Sequence, residues 1–235
     1  MFLARQHPGE TQGSFITEGI VDYLMNSMNL LKKGYAFHFV PMVNAEGVLY
    51  GNYRTNLKGY DLNRNWRNPD KSLHPEPFYI KKYLKKINEE ASILLIIDIH
   101  GHSKSLNSFF YGTAKNNKDN AKILPYFLSR RIKQISYHQC YFSVTEDKLN
   151  TARVVLSEMF PKALVYTLEN SFHGWRHKDK IIDYSPTNLR KLGKELIVGI
   201  LEFYSHTQTG LKGFEYRKEL EREVEKTEKE IEGEP

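Results

Sequence analysis

Two short histidine-containing segments carry residues that could bind one metal ion. His7 and Glu10 lie three positions apart in Ala-Arg-Gln-His-Pro-Gly-Glu, where the Pro-Gly pair predicts a turn. Such a turn can direct an imidazole and a carboxylate at one point. His100 ends the apolar run Ile-Leu-Leu-Ile-Ile-Asp-Ile-His at 93–100. Two histidines and one carboxylate, with a fourth position left open, form the ligand set of a catalytic zinc site.

Glu169 occupies the same place after a second predicted strand. It follows the apolar segment 163–168, as His100 follows 93–99. In open α/β sheets, ligands bind beyond the carboxyl ends of the strands. The sequence therefore predicts that His100 and Glu169 face one site, the alternative being that Glu169 is a paired surface carboxylate.

The order of helices and strands indicates an α/β fold. Periodic apolar patterns predict helices over 11–31, 78–88, 120–134 and 186–204, and strands over 1–4, 35–43, 93–99, 107–112, 140–144 and 163–168. This order predicts a three-layer α/β/α sandwich with a mixed, largely parallel central sheet. Segment 44–69 lacks periodicity but contains Tyr60 and Trp66, so we expect it to be a binding loop.

The composition predicts one folded domain at 1–211, followed by a charged tail at 212–235. Of the 235 residues, 40% are hydrophobic, which is typical of a folded chain. The tail holds six Lys or Arg and nine Glu, a formal charge of −3. Since the whole chain carries +6, residues 1–211 carry +9. Apolar residues in the tail are too sparse to bury, so we expect a solvated helix or a disordered segment.

The sequence also argues against two classes of binding partner, membranes and nucleic acids. No apolar run approaches the roughly 20 residues that span a bilayer, and the scattered basic residues form no recognisable nucleic-acid module. We therefore expect neither a membrane nor a nucleic acid as partner. The single cysteine, Cys140, excludes an internal disulfide and suits a reducing compartment.

Five segments together resemble the zinc metallocarboxypeptidase family, and within it the cytosolic carboxypeptidase branch that trims glutamates from tubulin. They are His-Pro-Gly-Glu at 7–10, Asn-Arg-Asn-Trp at 63–66, Asp-Ile-His-Gly-His-Ser at 98–103, Thr-Ala-Arg-Val-Val at 151–155 and Tyr-Thr-Leu-Glu-Asn-Ser-Phe at 166–172. The resemblance implies a zinc carboxypeptidase-like fold with one zinc ion per chain. It also implies a peptide hydrolase that removes C-terminal glutamates from acidic protein tails, with tubulin as partner.

The resemblance implies the metal centre in detail. His7, Glu10 and His100 would bind the zinc ion, and Asp61 would orient a ligand histidine by holding its second ring nitrogen. His102 would be supporting structure rather than a fourth ligand, because closed four-ligand sites are typically structural.

The resemblance also implies the catalytic and substrate-binding residues. Glu169 would act as the general base, and Arg54 would stabilise the developing oxyanion. Asn63 and Arg64 would hold the terminal carboxylate of the substrate, a task that suits the planar guanidinium. The alternative for Asn63 and Arg64, as for Asp61, is that they only tie down a long loop.

Arg153 is the candidate for side-chain specificity. In the family, the residue at the corresponding place forms the floor of the pocket for the last side chain, and an arginine there favours glutamate. Lys148, Arg176 and Lys178 are alternatives for this role. Arg153 could instead be an ordinary arginine on a helix surface.

The resemblance has departures, and other readings remain open. Family members carry further strands before the His-Pro-Gly-Glu segment, so we expect an N-terminally shortened member that lacks the first strands. One alternative is an aspartoacylase-like zinc amidohydrolase, which shares the His-x-x-Glu and distant His set. Another is an inactive truncated homologue that only binds acidic tails. A cytoplasmic location, with association to microtubules, axonemes or cilia, is a further implication.

Overall fold

A five-stranded mixed sheet lies at the centre of the structure, a computed structural model that describes residues 1–27, 34–113, 120–207 and 210–233. Its strands are β1 Phe2–Ala4, β2 Phe39–Val40, β3 Leu95–His102, β4 Ser108–Tyr111 and β5 Leu164–Ser171. The order across the sheet is β2-β1-β3-β5-β4, with β4 antiparallel to β5 and the other pairs parallel. The predicted mixed, largely parallel sheet is confirmed.

Helices cover both faces of this sheet. They are α1 Gln12–Met25, α2 Ala45–Leu49, α3 Pro75–Glu90, α4 Asn120–Arg131, α5 Ala152–Met159, α6 Pro186–Thr207 and α7 Gly210–Glu232. Strand β3 places Ile97 and Ile99 in the core beneath α1, α4 and α6, and Ile96 in a second core beneath α3 and α5. Alternate residues of a strand point to opposite faces, so β3 builds both interfaces of the predicted three-layer sandwich.

The long register between β3 and β5 positions the site. The two strands pair over eight residues, from Leu95 opposite Leu164 to His102 opposite Ser171. His100 therefore lies directly opposite Glu169. The expectation that these two strand ends share one site is confirmed.

Some predicted elements differ from the structure. The strand expected over 35–43 is only Phe39–Val40, because its neighbour β1 has only three residues to pair with and Pro41 has no N–H to continue the ladder. The strand expected over 140–144 is reduced to one bridge between Tyr111 and Tyr141. Residues 28–31 of the first expected helix lie outside the described residues. Short helices α2 and α5 and the hairpin of β6 Gly174–His177 with β7 Lys180–Asp183 were not predicted.

The charged tail contributes to the core. Leu220 and Val224, four residues apart on one face of α7, are buried in the same core as α4 and α6. On the same helix, Glu228 pairs with Lys122 at 2.7 Å. The expectation that this segment has too few apolar residues to bury is wrong, while the division at 211/212 stays a prediction. No helix of the described residues is long and apolar enough to cross a membrane.

Candidate metal centre and catalytic cleft

Three donor side chains converge where the turn after β1 meets the end of β3. His7 Nδ1 lies 2.6 Å from Glu10 Oε1, His100 Nδ1 lies 2.8 Å from Glu10 Oε2, and the two Nδ1 atoms are 3.1 Å apart. All three side chains are buried. Tetrahedral ligands about 2.1 Å from zinc lie about 3.4 Å from one another. Slight outward movement of these donors would therefore accommodate one zinc ion, and nitrogen and carboxylate oxygen are the donors that zinc takes.

The turn that carries His7 and Glu10 is held by local contacts. Arg5 has a φ of 58°, a left-handed conformation that turns the chain sharply at the end of β1. Its guanidinium donates to the carbonyl of Pro8 at 2.7 and 3.0 Å. A Cβ on Gly9 would lie 2.6 Å from the Tyr53 ring, so this position requires glycine. The turn is thus built to bring two donors together within four residues.

Asp61 holds the outer nitrogen of His7. Its Oδ1 lies 3.1 Å from His7 Nε2, and its Oδ2 accepts from Arg54 Nε and Nη2, each at 2.8 Å. Burial opposes the charge of Asp61, but His7 and Arg54 outweigh it and hold the pKa of this carboxyl well below its usual value. The structure thus places Asp61 where sequence resemblance implies it.

Asp98, which the sequence analysis did not single out, holds the outer nitrogen of His100. Its Oδ2 lies 2.6 Å from His100 Nε2. The available signal was spacing, because residues two apart on a strand point to the same face. Burial would lower the pKa of His100, but the carboxylates of Asp98 and Glu10 outweigh it and raise that pKa well above its usual value. Zinc binding at Nδ1 must therefore displace a proton.

A cleft of about 330 Å³ opens beside the three donors. Its walls include all five of the other predicted site residues: Arg54, Asn63, Arg64, Arg153 and Glu169. All five come from two distant segments of the chain, 54–64 and 151–172. The structure therefore brings every predicted site residue to one place.

Glu169 lies half-buried near the end of β5 and lines this cleft. Burial raises the pKa of its carboxyl to about 7, with the charge of Glu10 adding to the effect and His100 opposing it. A carboxyl with a pKa close to the working pH can both accept and return a proton.

Arg153 is buried, with only 5% of its surface exposed. It donates to the carbonyl of Gly112 and lies 5.7 Å from the centre of the Tyr111 ring. Burial lowers the pKa of this guanidinium to about 10, which still leaves it charged at neutral pH. The reading of Arg153 as a helix-surface arginine is wrong.

The alternatives to Arg153 are placed less favourably. Lys148 lines the same cleft, but its ammonium pairs with the Asp147 carboxylate. Arg176 and Lys178 are exposed on or beside the β6–β7 hairpin, and neither belongs to the cleft lining.

Asn63 and Arg64 are partly engaged in holding the loop. Asn63 Oδ1 accepts from the backbone N–H of Ala152 at 2.9 Å, and Arg64 Nη1 donates to the carbonyl of Asn63 at 3.0 Å. The amide nitrogen of Asn63 lies 3.3 Å from His100 Nε2, whereas the remaining guanidinium nitrogens of Arg64 are left for the cleft. Both readings of this pair are therefore compatible with the geometry.

Comparison with known proteins places this site in a family. Residues 1–194 match the family model described as zinc carboxypeptidase. The chain belongs to the zinc carboxypeptidase family.

Named relatives are cytosolic carboxypeptidases. The chain is 35% identical over 214 residues to cytosolic carboxypeptidase 2 of Macaca fascicularis, covering 88% of this chain and 25% of that protein. It is 32% identical to cytosolic carboxypeptidase 6 of Caenorhabditis elegans, covering 86% and 48%. The chain thus spans between a quarter and a half of the length of these relatives.

Solved structures share the fold. A metallo-carboxypeptidase from Burkholderia cenocepacia has a TM-score of 0.71 at 25% identity, covering 86% of this chain and 55% of that one. One from Pseudomonas aeruginosa, in complex with (2-guanidinoethylmercapto)succinic acid, has a TM-score of 0.76 at 23% identity, covering 87% and 56%.

The metal of this zinc carboxypeptidase family fits the donors described above. Among the described residues, the group that could hold a metal ion is His7, Glu10 and His100, and it does not include His102. His102 Nδ1 instead accepts from the backbone of Lys104 and Ser105 at 3.3 and 3.0 Å. The structure thus agrees with His102 as supporting structure.

Proposed function

We propose that this chain forms the catalytic part of a metallocarboxypeptidase that removes C-terminal glutamates from acidic protein tails, tubulin among them. The observation that carries the proposal is the meeting of the three metal donors, Glu169 and buried Arg153 in one cleft. Family membership and cytosolic carboxypeptidase relatives support the peptidase part. The positive charge of residues 1–211 supports the acidic substrate.

The metal donors are proposed to be His7, Glu10 and His100. A bound zinc ion supplies a Lewis acid that polarises the scissile carbonyl. The carboxylates that hold the two histidines by their outer nitrogens leave both Nδ1 atoms directed at the metal.

Glu169 is the proposed general base. It accepts a proton from the attacking water and passes it to the leaving amine, which its raised pKa of about 7 permits in both directions. Arg54 is proposed to stabilise the oxyanion with Nη1, because its Nε and Nη2 are occupied by Asp61.

The substrate is proposed to be held at two points. Arg64, together with Asn63, binds the terminal carboxylate, and Arg153 binds the side-chain carboxylate of the last residue. Because Arg153 is already desolvated, its charge has few competing partners and favours an acidic group strongly over a neutral one.

Hydrolysis of acidic peptides tests the reaction. Zinc-loaded protein is expected to release glutamate from peptides that end in Glu, and Glu169→Gln is expected to lower kcat by about 100-fold or more. Zinc content is measured alongside, since the variant should keep its metal. Protein that takes up no zinc, or a Glu169→Gln variant as fast as the parent, would contradict the proposal.

Arg153→Met tests the specificity. The value of kcat/KM for Glu-ending peptides is expected to fall about 100-fold, because a buried charge pair is lost, while Leu-ending peptides lose little. Lys148→Met is the matched control, as Lys148 lines the same cleft but is paired with Asp147. An unchanged preference for Glu in Arg153→Met would assign the specificity to another residue.

A further inference from the structure

Four buried side chains form a continuous hydrogen-bonded chain that ends at His100. Trp66 Nε1 donates to Gln6 Oε1 at 2.8 Å, and Gln6 Nε2 donates to Asp98 Oδ2. The same Asp98 oxygen lies 2.6 Å from His100 Nε2. All four side chains are at most 2% exposed. We call Trp66, Gln6, Asp98 and His100 the indole relay.

The direction of every bond in the indole relay follows from its first member. An indole N–H can only donate, so the atom of Gln6 that faces Trp66 must be the carbonyl oxygen. The amide nitrogen of Gln6 then faces Asp98 and donates to it. Asp98 accepts this bond as a carboxylate, so it also accepts from His100, which places a proton on His100 Nε2. In the neutral ring, the form that can bind a metal, the lone pair of His100 is thereby left on Nδ1, the atom beside Glu10 and His7.

The opposite orientation of Gln6 is strongly disfavoured. It would place the amide nitrogen against the indole N–H and the carbonyl oxygen against the Asp98 carboxylate. A donor would then face a donor and an acceptor would face an acceptor, with no water between them. Burying polar groups without a hydrogen-bond partner costs free energy. An amide side chain that could flip freely elsewhere is therefore fixed here by Trp66.

Asp98 depends on Gln6 for its placement. Its Oδ1 is buried and has no hydrogen-bond partner in the part of the chain that the structure describes. Its other oxygen is held by Gln6 and His100. Without Gln6, the carboxylate would keep His100 as its partner but lose the bond that fixes its orientation.

The backbone groups of Trp66 and Gln6 make further hydrogen bonds that hold these two residues in place. The backbone N–H of Trp66 donates to the backbone carbonyl of Asn150 at 3.0 Å, and the backbone carbonyl of Trp66 accepts from Lys81 Nζ at 2.7 Å. Gln6 immediately precedes His7, and its carbonyl accepts from Asn44 Nδ2 at 3.3 Å. Gln6 therefore links the segment that carries His7 to the strand that carries His100.

We propose that Gln6 and Trp66 are positioning residues of the metal centre, which set the tautomer and orientation of His100 through Asp98. The proposal rests on the ligand role of His100 given under the proposed function. It extends the metal centre to two side chains that touch neither the metal donors' coordinating atoms nor the cleft.

Zinc affinity of single variants tests this role without any substrate. Gln6→Met keeps the length of the side chain but removes both hydrogen bonds, and is expected to raise the Kd for zinc by about 10-fold to 100-fold. Trp66→Phe keeps an aromatic ring and lets Gln6 flip, and is expected to raise it by about 10-fold. Affinity is measured by competition with a chromogenic chelator.

Trp175→Phe is the matched control. Trp175 is the other tryptophan of the chain, is also buried, and packs against Tyr184 on the β6–β7 hairpin. This variant is expected to keep the zinc Kd of the parent within about twofold, although its melting temperature falls. A loss of zinc affinity equal to that of Trp66→Phe would overturn the relay, because any buried tryptophan would then matter alike.

A double variant separates the relay from independent packing effects. If Trp66 acts through Gln6, then Trp66→Phe adds no more than about twofold to the zinc Kd once Gln6→Met is present. Full additivity of the two changes, or parent-like affinity in both single variants, would overturn the proposal. Thermal unfolding of the metal-free variants is recorded in parallel.

Gln6→Glu keeps the test open if Gln6→Met does not fold. It retains the side-chain volume and the acceptor for Trp66, but turns an oxygen toward Asp98 in place of the donor. The zinc Kd is expected to rise at least as much as in Gln6→Met, and an unchanged Kd would overturn the relay. Parent protein that binds no zinc would overturn the ligand assignment itself. Parent protein that binds zinc but releases no C-terminal residue would overturn only the peptidase proposal.

Discussion

His100 and His7 direct the same atom, Nδ1, at one site, but the groups that hold their outer nitrogens differ in burial and in charge. His100 is held by Asp98, whose partner is the neutral amide of Gln6, and these three side chains are almost fully buried. His7 is held by Asp61, whose partner is the guanidinium of Arg54. The side chains of Asp61 and Arg54 are 19% and 41% exposed.

The two histidines are therefore held in two different ways, one by a buried hydrogen-bonded chain and one by a partly exposed ion pair. A buried chain of matched donors and acceptors has no water to replace a missing member, so it specifies one geometry. An exposed ion pair is weakened by salt, and water can take the place of either partner. The support of His7 is also shared with the cleft, since Arg54 lines it. Substrate can therefore influence the support of His7 more readily than that of His100.

Removing the carboxylate of Asp98 or of Asp61 tests most directly whether the two histidines are held differently. Asp98→Ala leaves the N–H groups of His100 and Gln6 buried without an acceptor, so the Kd for zinc is expected to rise by about 100-fold. Asp61→Ala lets water reach His7 Nε2, and an increase of only about 10-fold is expected. The measurement is chelator competition on both purified variants.

Two controls accompany this pair. Asp98→Asn keeps an oxygen that can accept from both neighbours, so it isolates the loss of charge from the loss of geometry. The effect of Asp61→Ala should shrink in high salt, where the Arg54 pair of the parent is already weakened, and that of Asp98→Ala should not. A larger loss of zinc affinity in Asp61→Ala than in Asp98→Ala would reverse the ranking of the two supports.

Proton release on zinc binding gives a finer test of the same difference. The pKa of His100 is raised well above its usual value because Asp98 and Glu10 outweigh the effect of burial. At neutral pH the metal-free ring is therefore protonated at Nδ1, and zinc must displace that proton. Zinc affinity is expected to fall as pH falls, by about tenfold per pH unit below this pKa for one displaced proton.

Calorimetry in buffers of different ionisation enthalpy measures this release. Asp98→Asn removes the charge that contributes most to raising the pKa of His100. The number of protons released per zinc should therefore fall in this variant at slightly alkaline pH, whereas Asp61→Asn leaves the His100 proton in place. Equal proton release in the parent and in Asp98→Asn would show that Asp98 does not control the protonation of His100.

Local sequence patterns predicted the three side chains that the structure brings together as a possible metal-binding group. His7 and Glu10 lie three residues apart across one turn, and His100 follows the apolar run 93–99, so short-range rules suffice for both. Glu169 was found by the same strand-end argument. The burial of Arg153 was not predictable, because the first five residues of its helix, α5, are all buried and so do not follow the one-sided pattern of a helix with one exposed face.

For the fold as well, some elements could be predicted from local sequence and others could not. Strands β3 and β5 were predictable because both are long and apolar over most of their length. The segment 35–43 looked equally strand-like, yet only Phe39–Val40 pairs, since pairing depends on the short neighbour β1. The sequence predicted that helix α7 is solvated, but its Leu220 and Val224 pack in the core with residues of α4 and α6. Whether two apolar residues are enough depends on the partner surface, which lies outside their own segment.

The residues alone predict three candidate metal donors, a candidate base and the α/β order that brings strand ends together. Each of these depends on side-chain chemistry and on periodicity within a few neighbouring positions. The tertiary structure decides which atom of each histidine is left for the metal. For His7 this is set by Asp61, which holds Nε2. For His100 we propose that it depends on Gln6 and Trp66, which lie 92 and 32 positions before Asp98 and act only because all three are packed into one buried contact. Hydrogen-bond direction in a buried site is set by which donors and acceptors meet in space, and no local pattern in the sequence records that meeting.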